Sequence, residues 1–138
     1  MLILTFLIFE FIDYNNDKLK EGGSKIVNTV LLIGRITHDV EIKQVGEGYN
    51  VANISMAVRR EFKNADGEYE VDFIPITLWE GAAYTCQELC RKGSLISLRA
   101  RIQMNKRETA EGKTFNQVEL IGEKICLLSS PKIIEGQQ

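Results

Sequence analysis

From residue 27 onward, hydrophobic and polar positions mostly alternate with a period of two, the spacing of half-buried β-strands. Val30-Leu31-Leu32-Ile33 before Gly34 reads as a short buried strand, which Ile36, Val40 and Ile42 continue in alternation. The Gly46-Glu47-Gly48 turn closes it. Residues 51–62 form a second strand, with Ile54, Met56 and Val58 on one face and Ser55, Ala57 and Arg59 on the other. Asn64-Ala65-Asp66-Gly67 is a hairpin tip, in which Asp-Gly supplies the positive-φ position such a turn needs. In the third strand, residues 73–79, Ile74, Ile76 and Leu78 read as core, and Phe73, Pro75, Thr77 and Trp79 stand on the opposite face. Pro75 has no N–H for a ladder, so this strand is irregular or unpaired on one side there.

The period then changes. Ala82, Ala83, Cys86, Leu89 and Cys90 recur at helical spacing, with Glu80 at the start, Arg91 and Lys92 at the end, and Gly93 as the stop. Residues 94–104 return to alternation, with Leu95, Ser97, Arg99 and Arg101 opposite Ile96, Leu98, Ala100 and Ile102. A turn at Glu111-Gly112-Lys113 leads into a last strand over residues 115–128, bent or bulged at Gly122. Three strands, a helix and two more strands predict an all-β chain. That order is the layout of a five-stranded OB-fold, a Greek-key barrel with one helix between strands 3 and 4.

Residues 1–26 stand apart from this pattern. The run MLILTFLIFEFI is apolar but broken by Glu10, and too short for the ~20 residues a bilayer span needs. It has neither the basic start nor the small-residue cleavage site of a signal peptide. The polar stretch DYNNDKLKEGGSK after it reads as a linker. One expectation is an extra element that packs on the domain or on a partner. The other is a translated leader: Lys20-Glu21-Gly22-Gly23 can be encoded by a purine run containing AAGGAGG, a ribosome-binding sequence, and Val27 by a GTG start codon. The expected division is therefore 1–26 extension, 27–129 barrel domain and 130–138 short tail.

Composition narrows the chemistry. With 138 residues, 44% hydrophobic and 26% charged, the chain has room for one ordinary globular core. Lys plus Arg total 17 against 19 Asp plus Glu, so any affinity for polyanions must come from uneven distribution. Three Cys and one His do not assemble a common zinc site, and no nucleophile stands beside His38. No metal, cofactor or catalytic activity is therefore expected. An odd, sparse set of cysteines fits a reducing compartment.

The charge is indeed uneven. Between residues 89 and 107 there are six basic residues (Arg91, Lys92, Arg99, Arg101, Lys106 and Arg107) and no acid. Arg59, Arg60 and Lys63 make a second cluster. Phe62, Tyr69, Phe73 and Trp79 lie among or beside them in the strand reading. Cations that track phosphates, interleaved with exposed rings on which bases stack, are what sequence-tolerant single-strand binding requires. Either feature alone is equally at home as core packing or as a solvated face.

The stretches NTVLLIGRITHDVEIK (28–43), VANISMAVRREFKNADGE (51–68), DFIPITLWEG (72–81), CRKGSLISLRARIQ (90–103) and EGKTFNQVEL (111–120) occur in one order and spacing. Together they resemble the bacterial single-stranded DNA-binding protein family. The resemblance implies a cytoplasmic, nucleoid-associated, non-enzymatic protein that protects single-stranded DNA in replication, recombination or repair. It also implies a homo-oligomer, a tetramer in that family, with Ile33 and its neighbours and Ile74 as interface positions. Three family aromatics that stack on bases match Phe62, Phe73 and Trp79, and the family's basic contacts match Arg35, Arg59, Lys63, Arg101 and Lys106. Arg107 stands where the family usually has a hairpin aromatic, which leaves a guanidinium that can itself stack. Val40 and Ala100 replace a common Pro and Gly. The family's long linker and acidic, Phe-ended tip have no counterpart in the last residues, which puts tail-mediated recruitment of proteins in doubt. The alternative reading is a replication-restart adaptor of the same fold that mainly binds protein partners.

Overall fold

The computed structural model describes residues 27–131. The N-terminal extension, with the leader reading, and the tail from residue 132 onward lie outside the described residues.

The strands are β1 (Val30–Ile36), β2 (Ile42–Val45), β3 (Tyr49–Lys63), β4 (Tyr69–Trp79), β5 (Leu95–Glu108) and β6 (Thr114–Ser129), with helix α1 (Glu80–Leu89) between β4 and β5. Five of them close a ring. β1 pairs antiparallel with β3 and with β5, β3 with β4, and β5 with β6. The ring closes through a parallel contact in which Thr77 of β4 faces Ile121 of β6. This is the expected five-stranded OB barrel, with its helix between the third and fourth barrel strands.

The first predicted strand is two strands. β1 and β2 lie one after the other along the same edge of β3, meeting it at Met56–Ala57 and at residues 49–52. The break falls at residues 37–41, where Thr37 donates both its N–H and its hydroxyl to the Ser55 carbonyl, at 3.0 and 3.2 Å. Val40 stays buried within the break, which is why the alternation reads straight through it.

Ile36, Ile54, Met56, Ile76, Leu78, Ile96 and Leu98 are fully buried inside the barrel. They are the positions that period-two alternation assigns to the core, and their burial is the main stabilising term. The helix contributes Ala83 and Cys86, and Cys90 follows just past its end. Burial pushes the Cys86 thiol up to about 12, so it packs as a small hydrophobe. Leu89, expected on the apolar stripe, is exposed, and Arg91 and Lys92 lie beyond the helix rather than in its last turn. The helix stops at Leu89 because Cys90 takes an extended conformation.

Between β5 and β6 the register jumps from Arg99–Lys124 to Ala100–Gly122, leaving Glu123 as the extra residue of a bulge. Gly122 therefore sits at the predicted bend, and a Cβ there would stand 2.3 Å from the Leu78 Cδ2. Past Ile102 and Leu120 the β5–β6 hairpin becomes an arm, with Ile102, Met104, Phe115 and Val118 all exposed. Among the described residues no helix is long and apolar enough to cross a membrane.

Candidate nucleic-acid interface

Directly opposed residues of an antiparallel pair share a face. The β3–β4 register places Ala57 opposite Phe73, Ser55 opposite Pro75, Asn53 opposite Thr77 and Val51 opposite Trp79. All eight are of the outward parity, the core parity being that of Ile54, Met56, Ile76 and Leu78. Phe73 is 67% exposed and Trp79 40% exposed. β1 adds Arg35 opposite Ala57, so Arg35, Ala57 and Phe73 form one row across three strands. The small side chain of Ala57 leaves the ring and the guanidinium accessible to one ligand. Arg35 also donates to the Gly93 carbonyl at 2.9 Å, which fixes its position.

Trp79 is thrown outward at the corner where β4 becomes α1. Glu80 there has φ +45°, a left-handed conformation that non-glycine residues rarely adopt. Its carboxylate accepts the Asn50 N–H at 2.8 Å, which holds the corner.

Phe62 is 82% exposed. Strand parity alone leaves it on the core face, but the β3–β4 register shifts between Arg59 and Lys63, and Phe62 lies in that irregular stretch. The same stretch divides the second basic cluster. Arg59 stacks over the Tyr69 ring at 4.4 Å and Lys63 lies 5.6 Å from it. Arg60 is bonded instead to Asp72 and Glu70. The hydrogen bond and charge of Asp72 raise the Arg60 pKa, and Arg60 in turn lowers that of Asp72. Arg60 is therefore neutralised locally, whereas Arg59 and Lys63 remain on the aromatic side.

A hydrogen-bonded chain crosses the outward face to the first basic cluster. The Thr77 hydroxyl donates to Glu119 Oε1 at 2.6 Å, and the Asn105 amide donates to Glu119 Oε2. Gln103 donates to Asn105 at 3.0 Å, and Arg101 donates to Gln103 at 2.7 Å. Arg101 thus belongs to the same surface as Trp79. It also lies 3.6 Å from Glu123, which shares its charge. Lys106 and Arg107, adjacent in sequence, point to opposite faces of the arm, and only Arg107 lines the groove beside Pro75 and Thr77.

Three residues escape the sequence reading. Phe115 lies directly opposite Arg107 and is 47% exposed, so the arm keeps an aromatic beside that guanidinium. Counting outward from the Glu111-Gly112-Lys113 turn pairs the two. Lys43 sits in the same row as Val51 and Trp79, and the exposed Tyr49 is two residues along β3 from Val51.

The single-strand binding protein family model matches residues 27–128, the whole barrel. The chain is 35% identical over 113 residues to single-stranded DNA-binding protein 1 of Lactococcus lactis, covering 82% of this chain and 75% of that one. It is 38% identical over 98 residues to single-stranded DNA-binding protein B of Bacillus subtilis, covering 71% and 87%. The chain belongs to the single-strand binding protein family. A further relative, the single-stranded DNA-binding protein of Streptococcus mutans, is 35% identical over 112 residues, covering 81% of this chain and 68% of the other. For a member of this family, outward aromatics beside guanidinium groups are a surface suited to unpaired bases and their phosphates.

Proposed function

We propose that this protein binds single-stranded DNA with little regard to sequence and so protects it during replication, recombination or repair. The observation that carries this is the exposure of Phe62, Phe73 and Trp79 on a barrel whose outward face also carries Arg35, Arg59 and Arg101. Bases stack on the rings, and Arg35, Arg59, Lys63, Arg101 and Arg107 hold phosphates. Lys106, on the other face of the arm, meets a strand only where it wraps around that arm. Binding rather than catalysis is the role, with DNA in the cytoplasm as the partner. No observation favours the adaptor reading.

Titration with poly(dT) at several salt concentrations tests the proposal. Trp79 is the only tryptophan, so its emission reports the site. Strong quenching is expected, with an affinity that falls linearly in log–log form as salt rises, because phosphate contacts release counterions. Duplex DNA of equal length should compete poorly. Unchanged emission at low salt, or equal competition by duplex, would overturn the proposal.

The family resemblance further supports a homotetramer. Leu31 and Ile33 present apolar side chains to solvent from β1, at 45% and 44% exposure, while Ile74 is half-buried against the core. Sedimentation should give a mass near four chains, and Ile33→Arg should yield smaller species. A monomeric wild-type protein would refute the assembly and leave DNA binding to be judged by the titration.

A further inference from the structure

Between β4 and the β5–β6 arm lies a cavity of about 210 Å3, open to solvent and lined by Asn53, Pro75, Thr77, Arg107, Gln117 and Glu119 among others. A carboxylate in the middle of a groove meant for a polyanion is unexpected. Glu119 forms no ion pair among the described residues. It is nevertheless fixed, with one oxygen accepting from Thr77 and the other from Asn105. An ionised carboxylate accepts about four hydrogen bonds, so Glu119 has capacity for two more.

A fixed negative charge repels phosphate, so the sugar–phosphate backbone must pass elsewhere, along the arginines at the rim. What suits the cavity is the edge of a base. Pro75 offers a flat apolar surface, and the amide of Gln117 has no partner among the described residues. Carboxylates accept from exocyclic amino groups such as cytosine N4, whereas thymine presents carbonyl oxygens at the equivalent place. We propose that this cavity is a base-reading notch, in which Glu119 and Gln117 take the amino-bearing edge of one base of the bound strand, favouring cytosine over thymine. The proposal rests on the single-stranded DNA reading and adds a local base preference to it.

The test compares affinities for oligo(dC) and oligo(dT) of equal length at pH 8 and one salt concentration, for the wild type, Glu119→Gln and Gln117→Ala. Glu119→Gln keeps the shape but removes the charge, and is expected to shift the dC-to-dT affinity ratio roughly tenfold toward dT. Gln117→Ala, at an exposed position, is expected to shift it the same way by a smaller factor and carries the test should Glu119→Gln fail to fold. An unchanged ratio in folded variants that still bind both oligonucleotides overturns the notch and leaves the binding function standing. A wild-type protein that binds neither oligonucleotide overturns both.

Discussion

Trp79→Ala and Phe73→Ala are each expected to weaken binding to poly(dT) by about 1–3 kcal/mol, the range for loss of one base–aromatic stack. Tenfold in affinity corresponds to about 1.4 kcal/mol, so the losses fall between roughly fivefold and 150-fold. Phe73 is two-thirds exposed, so its truncation opens no cavity in the core. Melting temperature should therefore stay close to that of the wild type while affinity falls. The salt slope is the second discriminator. Removing a ring touches no phosphate, so the slope should be unchanged, whereas Arg59→Ala should reduce it by about one. Phe73 and Trp79 are six positions apart on β4, with Pro75 and Thr77 between them on the same face, so their effects should be near additive. Phe62→Ala belongs to the same series and is read by the same titration, since its ring is exposed in the irregular stretch of β3. Wild-type affinity in both Phe73→Ala and Trp79→Ala would remove stacking from the account.

The parts of this surface that were legible in the sequence are those that depend on local periodicity. Alternation places Phe73 and Trp79 outward because Ile74, Ile76 and Leu78 claim the core. It fails where the ladder is irregular. Arg59, Arg60 and Lys63 look like one cluster in sequence, yet Arg60 is bonded to Asp72 and Glu70 while the other two flank Tyr69. It fails again where a strand outgrows the barrel. Ile102 keeps core parity but is exposed, since the arm has left the core behind. The Thr77–Glu119 hydrogen bond joins residues 42 apart across the parallel β4–β6 contact, and no local pattern announces such a pairing. The division of β1 from β2 is likewise hidden, because buried Val40 preserves the alternation where the ladder is broken.

Gly34→Ala should destabilise the barrel at the place where it closes. β1 is pressed between β5 and β3 there, with Gly34 opposite Ile96 and Arg35 opposite Ala57. A Cβ on Gly34 would stand 2.5 Å from the carbonyl oxygen of Ala57 and 3.0 Å from the Val58 Cγ2. The oxygen is backbone and cannot rotate aside; relief requires β1 and β3 to separate. Overpacking of this kind costs about 1–3 kcal/mol, and in a domain of this size each kcal/mol lowers the melting temperature by about 4–8 °C. Gly81→Ala is the control. A Cβ there meets nothing within 4 Å, and in helix α1 alanine is the better helix former, so its melting temperature should hold or rise. The strain also reaches the proposed binding face, because Ala57 is the middle residue of the Arg35–Ala57–Phe73 row. Gly34→Ala should therefore bind poly(dT) more weakly even at temperatures where it is folded, while Gly81→Ala binds as the wild type does. If Gly34→Ala melts and binds like the wild type, β1 does not approach β3 this closely and the barrel is open at that seam.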